Sequence, residues 1–191
     1  MKTKSPIAAF LILGVCILSL THPVPSETAS APATNPFFSE SSLPYHAPPF
    51  DKIKDSDYAP AIEEGMKNQL AEIEAIANNP AAPTFANTFE AMERSGALLT
   101  RVTKVFLNMT AANTSDTLQK IKADEAPKLA AHSDSIYLNA KLFARVKSLY
   151  DQRTALKLDP ESQFLVERYY KTFVRSGALL SEADKETLCE G

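Results

Sequence analysis

Chemistry in this chain would rest on its histidines, its cysteines and its clustered carboxylates. The histidines are three: His22, His46 and His132. None stands in an H-E-x-x-H pair, which would set two imidazoles one helical turn apart around a zinc ion with a carboxylate beside them as base. His22 lies beside the N-terminal apolar run and His46 in a proline-rich stretch; His132 falls inside a helical pattern, with Asp134 close but not one turn away. A lone histidine in such a place reads as a structural or solvent-facing residue. Cys16 sits within the apolar run, which leaves Cys189 as a single thiol with no evident histidine partner. Neither an internal disulfide nor a metal cluster nor a thiolate nucleophile follows from that inventory. There is no G-x-S-x-G and no glycine-rich phosphate loop. Glu63, Glu64, Glu72 and Glu74 fall on the polar face of one helical pattern and read as solvated. The residues themselves name no catalytic group, no metal ligand and no substrate-binding side chain.

The elements that would have to position such chemistry are legible. Of 191 residues 45% are hydrophobic, with five glycines and no tryptophan, and Ala, Leu, Glu and Lys dominate. That composition predicts an all-α chain with enough apolar residues for a core. A net charge of -3 carries no nucleic-acid footprint. The stretch Thr88 to Met109 looks central: Phe89, Met92, Leu99, Val102, Phe106 and Met109 make one apolar stripe, widened by Leu98 and Val105. Asn87 or Thr88 is the expected cap, and Gly96 leaves a bare place in the stripe. A helix before it starts near Ser56 or Asp57, with Pro60 in its first turn, and ends at Asn78-Asn79-Pro80. After a turn at Asn113 to Ser115, Leu118, Ile121, Leu129 and Ile136 form a ladder that should kink at Pro127. A break near Asn139, a face of Leu142, Phe143, Val146, Leu149 and Tyr150, and a sharp start at Asp159-Pro160-Glu161 follow. Ser176-Gly177 should interrupt the last long helix.

The ends differ from this middle. Lys2 and Lys4 precede a 14-residue apolar run, Ile7 to Leu20. A membrane span needs about 20 such residues, so 1–26 reads as a signal peptide cut after Ser26. No membrane span is expected. Lipidation at Cys16 is disfavoured, because Val15 is not small and the run continues past the cysteine. The mature protein should be periplasmic or secreted. Residues 27–54 divide into a small, polar tether and a strap from Asn35 to Asp51. Pro36, Pro44, Pro48 and Pro49 bar a helix there, yet Phe37, Phe38, Leu43, Tyr45 and Phe50 are large and apolar. They are expected to bury themselves against the helices. Residues 55–191 make the helical domain. Ser181 and Asp184 open a new capping box whose apolar stripe does not follow before Gly191, which reads as truncation. The six residues Arg94 to Leu99 recur identically as Arg175 to Leu180. They read as a coincidence of residues that suit helix packing, the alternative being a duplicated hairpin with close backbone approach at both glycines. Asn108 and Asn113 head glycosylation sequons, relevant only in a eukaryote, and the leader is of bacterial style.

Several phrases occur together in a familiar order: Asn35-Pro-Phe, Leu43-Pro-Tyr, Pro49-Phe-Asp, Ala61 to Met66, Glu72 to Ala77 with Asn79-Pro, and Ser95 to Val102. Met109 to Ala112, Ile136 to Asn139, Leu142 to Val146 and Ala183-Asp-Lys185 continue the series. In register they resemble the N-terminal portion of bacterial peptidyl-dipeptidases of the thimet oligopeptidase family, from Asn35 onward. The resemblance implies antiparallel helical hairpins forming part of an N-terminal helical lobe beside a deep cleft. It implies a zinc peptidase that removes C-terminal dipeptides from short peptides, its metal held by H-E-x-x-H and a downstream glutamate. No position of this chain matches those residues. The chain alone is therefore expected to bind no zinc, to be inactive and to be monomeric. The rival reading is a stand-alone periplasmic helical module that binds a peptide or a partner.

Overall fold

The computed structural model describes residues 35–181 and residue 184. The leader, the tether, His22 and Cys189 lie outside the described residues. Among the described residues every regular element of any length is a helix, as the composition requires.

The element that everything else touches is α1, Tyr58–Ala77. Its first half gives Tyr58, Ala61, Ile62 and Met66 to one core, and its second half gives Ile73, Ile76 and Ala77 to another. Asp57 precedes it without capping it; that carboxylate accepts the Lys54 backbone N–H at 2.7 Å instead. The helix ends where the Asn-Asn-Pro signal places its end.

The stretch expected to form one central helix is two. A π-helical turn, Ala86–Glu90, leads into α2, Ala91–Arg94, and a separate helix, α3, covers Ala97–Ala112. The start lies earlier than expected: Thr84 and Asn87 bond each other reciprocally, side chain to backbone, at 2.8 and 3.1 Å. The break is Ser95-Gly96. Ser95 leaves the helical region and Gly96 takes φ +71°, the left-handed region that glycine enters without a Cβ penalty. The break redirects the chain, so that Phe89 and Met92 enter the second core while Leu99, Val102, Val105 and Phe106 enter the first. A straight helix would have carried both groups to one place.

Helix α4, Asp116–Tyr137, is capped by Ser115, whose Oγ accepts the Leu118 N–H at 3.1 Å. It passes through Pro127 unbroken. It delivers Leu118 to the first core and Ile136 to the second. Asn139 then caps α5, Ala140–Asp151, through the Leu142 N–H at 2.9 Å. Asp159 caps α6, Pro160–Arg175, through the N–H groups of Glu161 and Ser162, both at 3.0 Å. Helices α5 and α6 close over the second core with rings: Phe143 stacks on Phe173 at 5.8 Å, and Tyr150 lies parallel to Tyr170 at 3.8 Å. The second copy of the six-residue repeat repeats the backbone event of the first. Helix α6 stops at Arg175 and Gly177 takes φ +96°. Both copies are helix stops, so the shared wording has a shared local job.

The strap departs from expectation. Only Phe37 is buried; Phe38, Leu43, Tyr45 and Phe50 are exposed. Phe37 packs on Tyr58, which packs on Phe106, with ring centres 5.3 and 5.2 Å apart. The Arg101 guanidinium donates to the Phe37 carbonyl at 2.7 and 3.2 Å, which fastens the strap to α3.

Candidate functional site

The polar side chains that the structure gathers lie on the seam where α4 meets α1. His132 is buried, and its Nε2 lies 2.8 Å from Gln69 Oε1 on α1. The Gln69 amide nitrogen reaches Ser95 Oγ at 3.5 Å, and that hydroxyl donates to the Met92 carbonyl at 2.7 Å. The Gly96 N–H donates to Glu72 Oε2 at 2.7 Å. Two side chains of α1 therefore hold the α2–α3 break, and His132 holds one of them. Because Gln69 turns its oxygen to His132, Nε2 carries the proton and Nδ1 is bare. Nδ1 is buried with no partner. A proton there would bring a charge and an unmatched donor into the interior. Burial accordingly lowers the His132 pKa below its usual value.

One turn earlier Lys128 bonds Glu63 of α1 and Glu125 of its own helix, the latter at 2.9 Å. Those two hydrogen bonds raise the Lys128 pKa. Glu125 is almost wholly buried, and its Oε2 has no partner. On the far side Arg145 of α5 is also buried. Its fork donates to the carbonyls of Asn79 and Ala81 at 2.9 and 3.1 Å and to Asn87 Oδ1 at 2.8 Å. Arg145 thus clamps both ends of the loop joining α1 to the π-helical turn.

These groups fix loops and register. The imidazole, the buried carboxylate and the guanidinium each bond a neighbour and each keep one buried atom, Nδ1, Oε2 and Nε, without a partner. Among the described residues no three His, Cys, Asp or Glu converge to hold a metal ion. His46 lies on the strap, exposed, with Nδ1 3.1 Å from the Ser41 carbonyl and 3.5 Å from Glu40. The four carboxylates read as solvated divide: Glu63 and Glu72 have the partners just named, Glu64 pairs with exposed Lys67 at 3.2 Å, and Glu74 bonds Asn78. The outer face of α4 adds an open groove of about 680 Å³ along Pro127, Ala130, Ala131, Asp134, Ser135 and Leu138. Among the described residues no helix is long and apolar enough to cross a membrane.

Gln69, Glu125 and Arg145 were missed in the sequence, though a signal exists. Glu125 and His132 sit at core-facing intervals of α4 between Leu118 and Ile136, and Arg145 lies on the face of Leu142, Val146 and Leu149. A polar residue in an apolar slot marks a buried partner.

No protein-family model matches the chain. It is 53% identical over 156 residues to a dipeptidyl carboxypeptidase of Salmonella typhimurium and 51% identical over 154 residues to one of Escherichia coli. These alignments cover 82% and 81% of this chain but 23% of each relative, so the chain spans about a quarter of their length. The similarity agrees with the resemblance carried by the motifs.

Proposed function

We propose, from this similarity to dipeptidyl carboxypeptidases, that the chain is the N-terminal helical part of an exported peptidase of that kind. The single observation that carries the reading is identity above one half across four fifths of the chain. Identity at that level over that length supports a shared fold in the relatives' matching segment. The substrates of the whole protein are short peptides, shortened from their C-terminal ends. The contribution of these residues is architectural: two small cores joined by α1, with a third-layer strap, form a firm wall. In this reading a zinc ion and a water-activating glutamate are supplied by the part of the longer protein that carries H-E-x-x-H, a motif with no match in this chain. No step of hydrolysis is assigned to any side chain of this chain, and alone it is inactive. The leader in 1–26 directs the protein out of the cytoplasm.

The test is a chimaera in which this chain replaces the matching segment of the Escherichia coli relative. The reading expects the chimaera to release dipeptides from a blocked peptide, with a chelator stopping the reaction, and this chain alone to release none. A soluble chimaera, folded by circular dichroism, that lacks activity while its parent is active would overturn the reading. So would chelator-sensitive hydrolysis by the chain alone, which would put an active site within these residues.

A further inference from the structure

The strap is fastened firmly on its inner side and bare on its outer side. Phe37 is sunk in the first core, Arg101 holds the Phe37 carbonyl, and Asn35 Nδ2 donates to the Asp57 carbonyl at 2.7 Å. Successive turns then set the path. His46 N–H bonds the Leu43 carbonyl at 2.9 Å, Ala47 N–H bonds Pro44 at 3.2 Å, and Lys52 N–H bonds Pro49 at 2.9 Å. Four proline rings stiffen these turns further. A segment so fixed presents Phe38, Leu43, Tyr45 and Phe50 outward, at 51%, 44%, 101% and 57% exposure. Tyr45 and His46 take φ +59° and +55°, two consecutive side-chain-bearing residues in the left-handed region. That region is disfavoured without glycine, and such conformations persist where surroundings hold them. No contact to the tyrosine ring within the described chain supplies that support, since the ring is fully exposed.

We propose that Phe38, Leu43, Tyr45 and Phe50 form the seat on which the remaining three quarters of the longer polypeptide dock, burying the outer side of the strap. The inference rests on the reading of the chain as part of a dipeptidyl carboxypeptidase, whose relatives extend over four times the matched length. Between Asn35 and Lys54 the charges of Glu40 and Asp51 offset those of Lys52 and Lys54. The occupant is therefore an apolar wall, not a charged polymer or an acidic lipid surface. A covalently linked occupant arrives at high effective concentration, so a few exposed rings suffice to hold it. Exposed aromatic anchors of this kind dominate protein contacts once their pocket is closed.

Accessibility of residue 45 tests this. Tyr45→Cys is made with Cys16→Ser and Cys189→Ser in this chain and in the chimaera described above, whose own cysteines are likewise replaced. Maleimide labelling is followed in each protein and divided by its rate in denaturant. The proposal expects fast labelling in the chain alone and a rate roughly tenfold or more slower in the chimaera, as closure of a stable contact demands. It expects Phe38→Ser with Phe50→Ser to leave the melting temperature of the chain unchanged and to lower that of the chimaera. Equal labelling in both proteins overturns it. So does slow labelling in the chain alone, and if that protection grows with protein concentration the occupant is a second copy. An active chimaera with an open residue 45 defeats the docking and spares the peptidase reading. A protected residue 45 in a folded but inactive chimaera does the reverse.

Discussion

Gly65→Ala puts the sharpest load on the bundle. Gly65 lies where α1 crosses α3, and a Cβ there would stand 2.8 Å from Leu99 Cα and 2.9 Å from Leu99 N. Ordinary contact begins at 3.4 Å, so the helices must part by about 0.6 Å (3.4 minus 2.8). The obstacle is backbone, which no rotamer change removes. Overpacking of a filled core costs about 1–3 kcal/mol, and contact with backbone argues for the upper part of that range. Alanine returns about 1 kcal/mol through its better helix propensity. The net loss is about 1–2 kcal/mol, or about 2–8 °C in melting temperature for a domain of this size. Urea titration of the chain followed by circular dichroism reads it as a lower midpoint with an unchanged slope. Leu99→Ala gives no rescue, because Cα, N and Cβ remain. A Gly65→Ala protein as stable as the parent, or stabler, would refute the close crossing of α1 and α3.

Gly96→Ala meets two costs at once: a left-handed backbone, and a Cβ 2.5 Å from the Gln69 amide. The loss is about 1–3 kcal/mol, and because Gln69 is displaced the His132 resonances should shift in NMR spectra. Arg145→Ala strips three acceptors of the loop between Asn79 and Asn87 of their donor, at about 2–4 kcal/mol, with faster amide exchange across that loop; Arg145→Lys, which lacks the fork, restores little. Stability falls with pH through His132. Its folded pKa lies below the unfolded value near 6.5, so the unfolded chain takes the proton first. The contribution is present above pH 6.5 and is lost as pH falls through the lower folded pKa. Gln69 of α1 is its hydrogen-bond partner, and burial is the cause of the shift. Against a His132→Gln variant the parent should lose ground in urea titrations below pH 6.5, and parallel curves would remove His132 as the cause.

The starts of α4, α5 and α6 were readable because capping is local chemistry. Asp159-Pro160, Asn139 and Ser115 act through side chains bonding N–H groups two or three residues on, and that information travels with the sequence. The long helix over Thr88 to Met109 was misread for the opposite reason. Its apolar stripe continues on both sides of Gly96, and periodicity alone does not report that the two halves serve different cores. The strap was misread because aromatic residues amid prolines suggest burial, but only Phe37 has a partner within reach in the first core. The likeness to dipeptidyl carboxypeptidases was legible in wording alone. Composition and spacing carry no catalytic motif, so they pointed to no reaction.

The α1–α4 seam shows why these polar residues sit where apolar ones would pack. Against α3, α1 meets Leu99, Val102 and Phe106, and the contact is dry and close. Against α4, buried His132 meets Gln69, while Lys128, exposed at the edge of the seam, bonds Glu63 of α1 and the buried Glu125 of its own helix. Apolar surfaces of similar shape would let α4 slide along α1 at small cost, whereas each of these bonds has one partner at one height. Register matters here because α4 feeds Leu118 to one core and Ile136 to the other, and a slip would empty both. Burying Glu125 and His132 with an unmatched atom each weakens the seam in exchange. The α1–α3 crossing therefore carries the bundle's strength, while the α1–α4 seam sets its alignment and its response to pH.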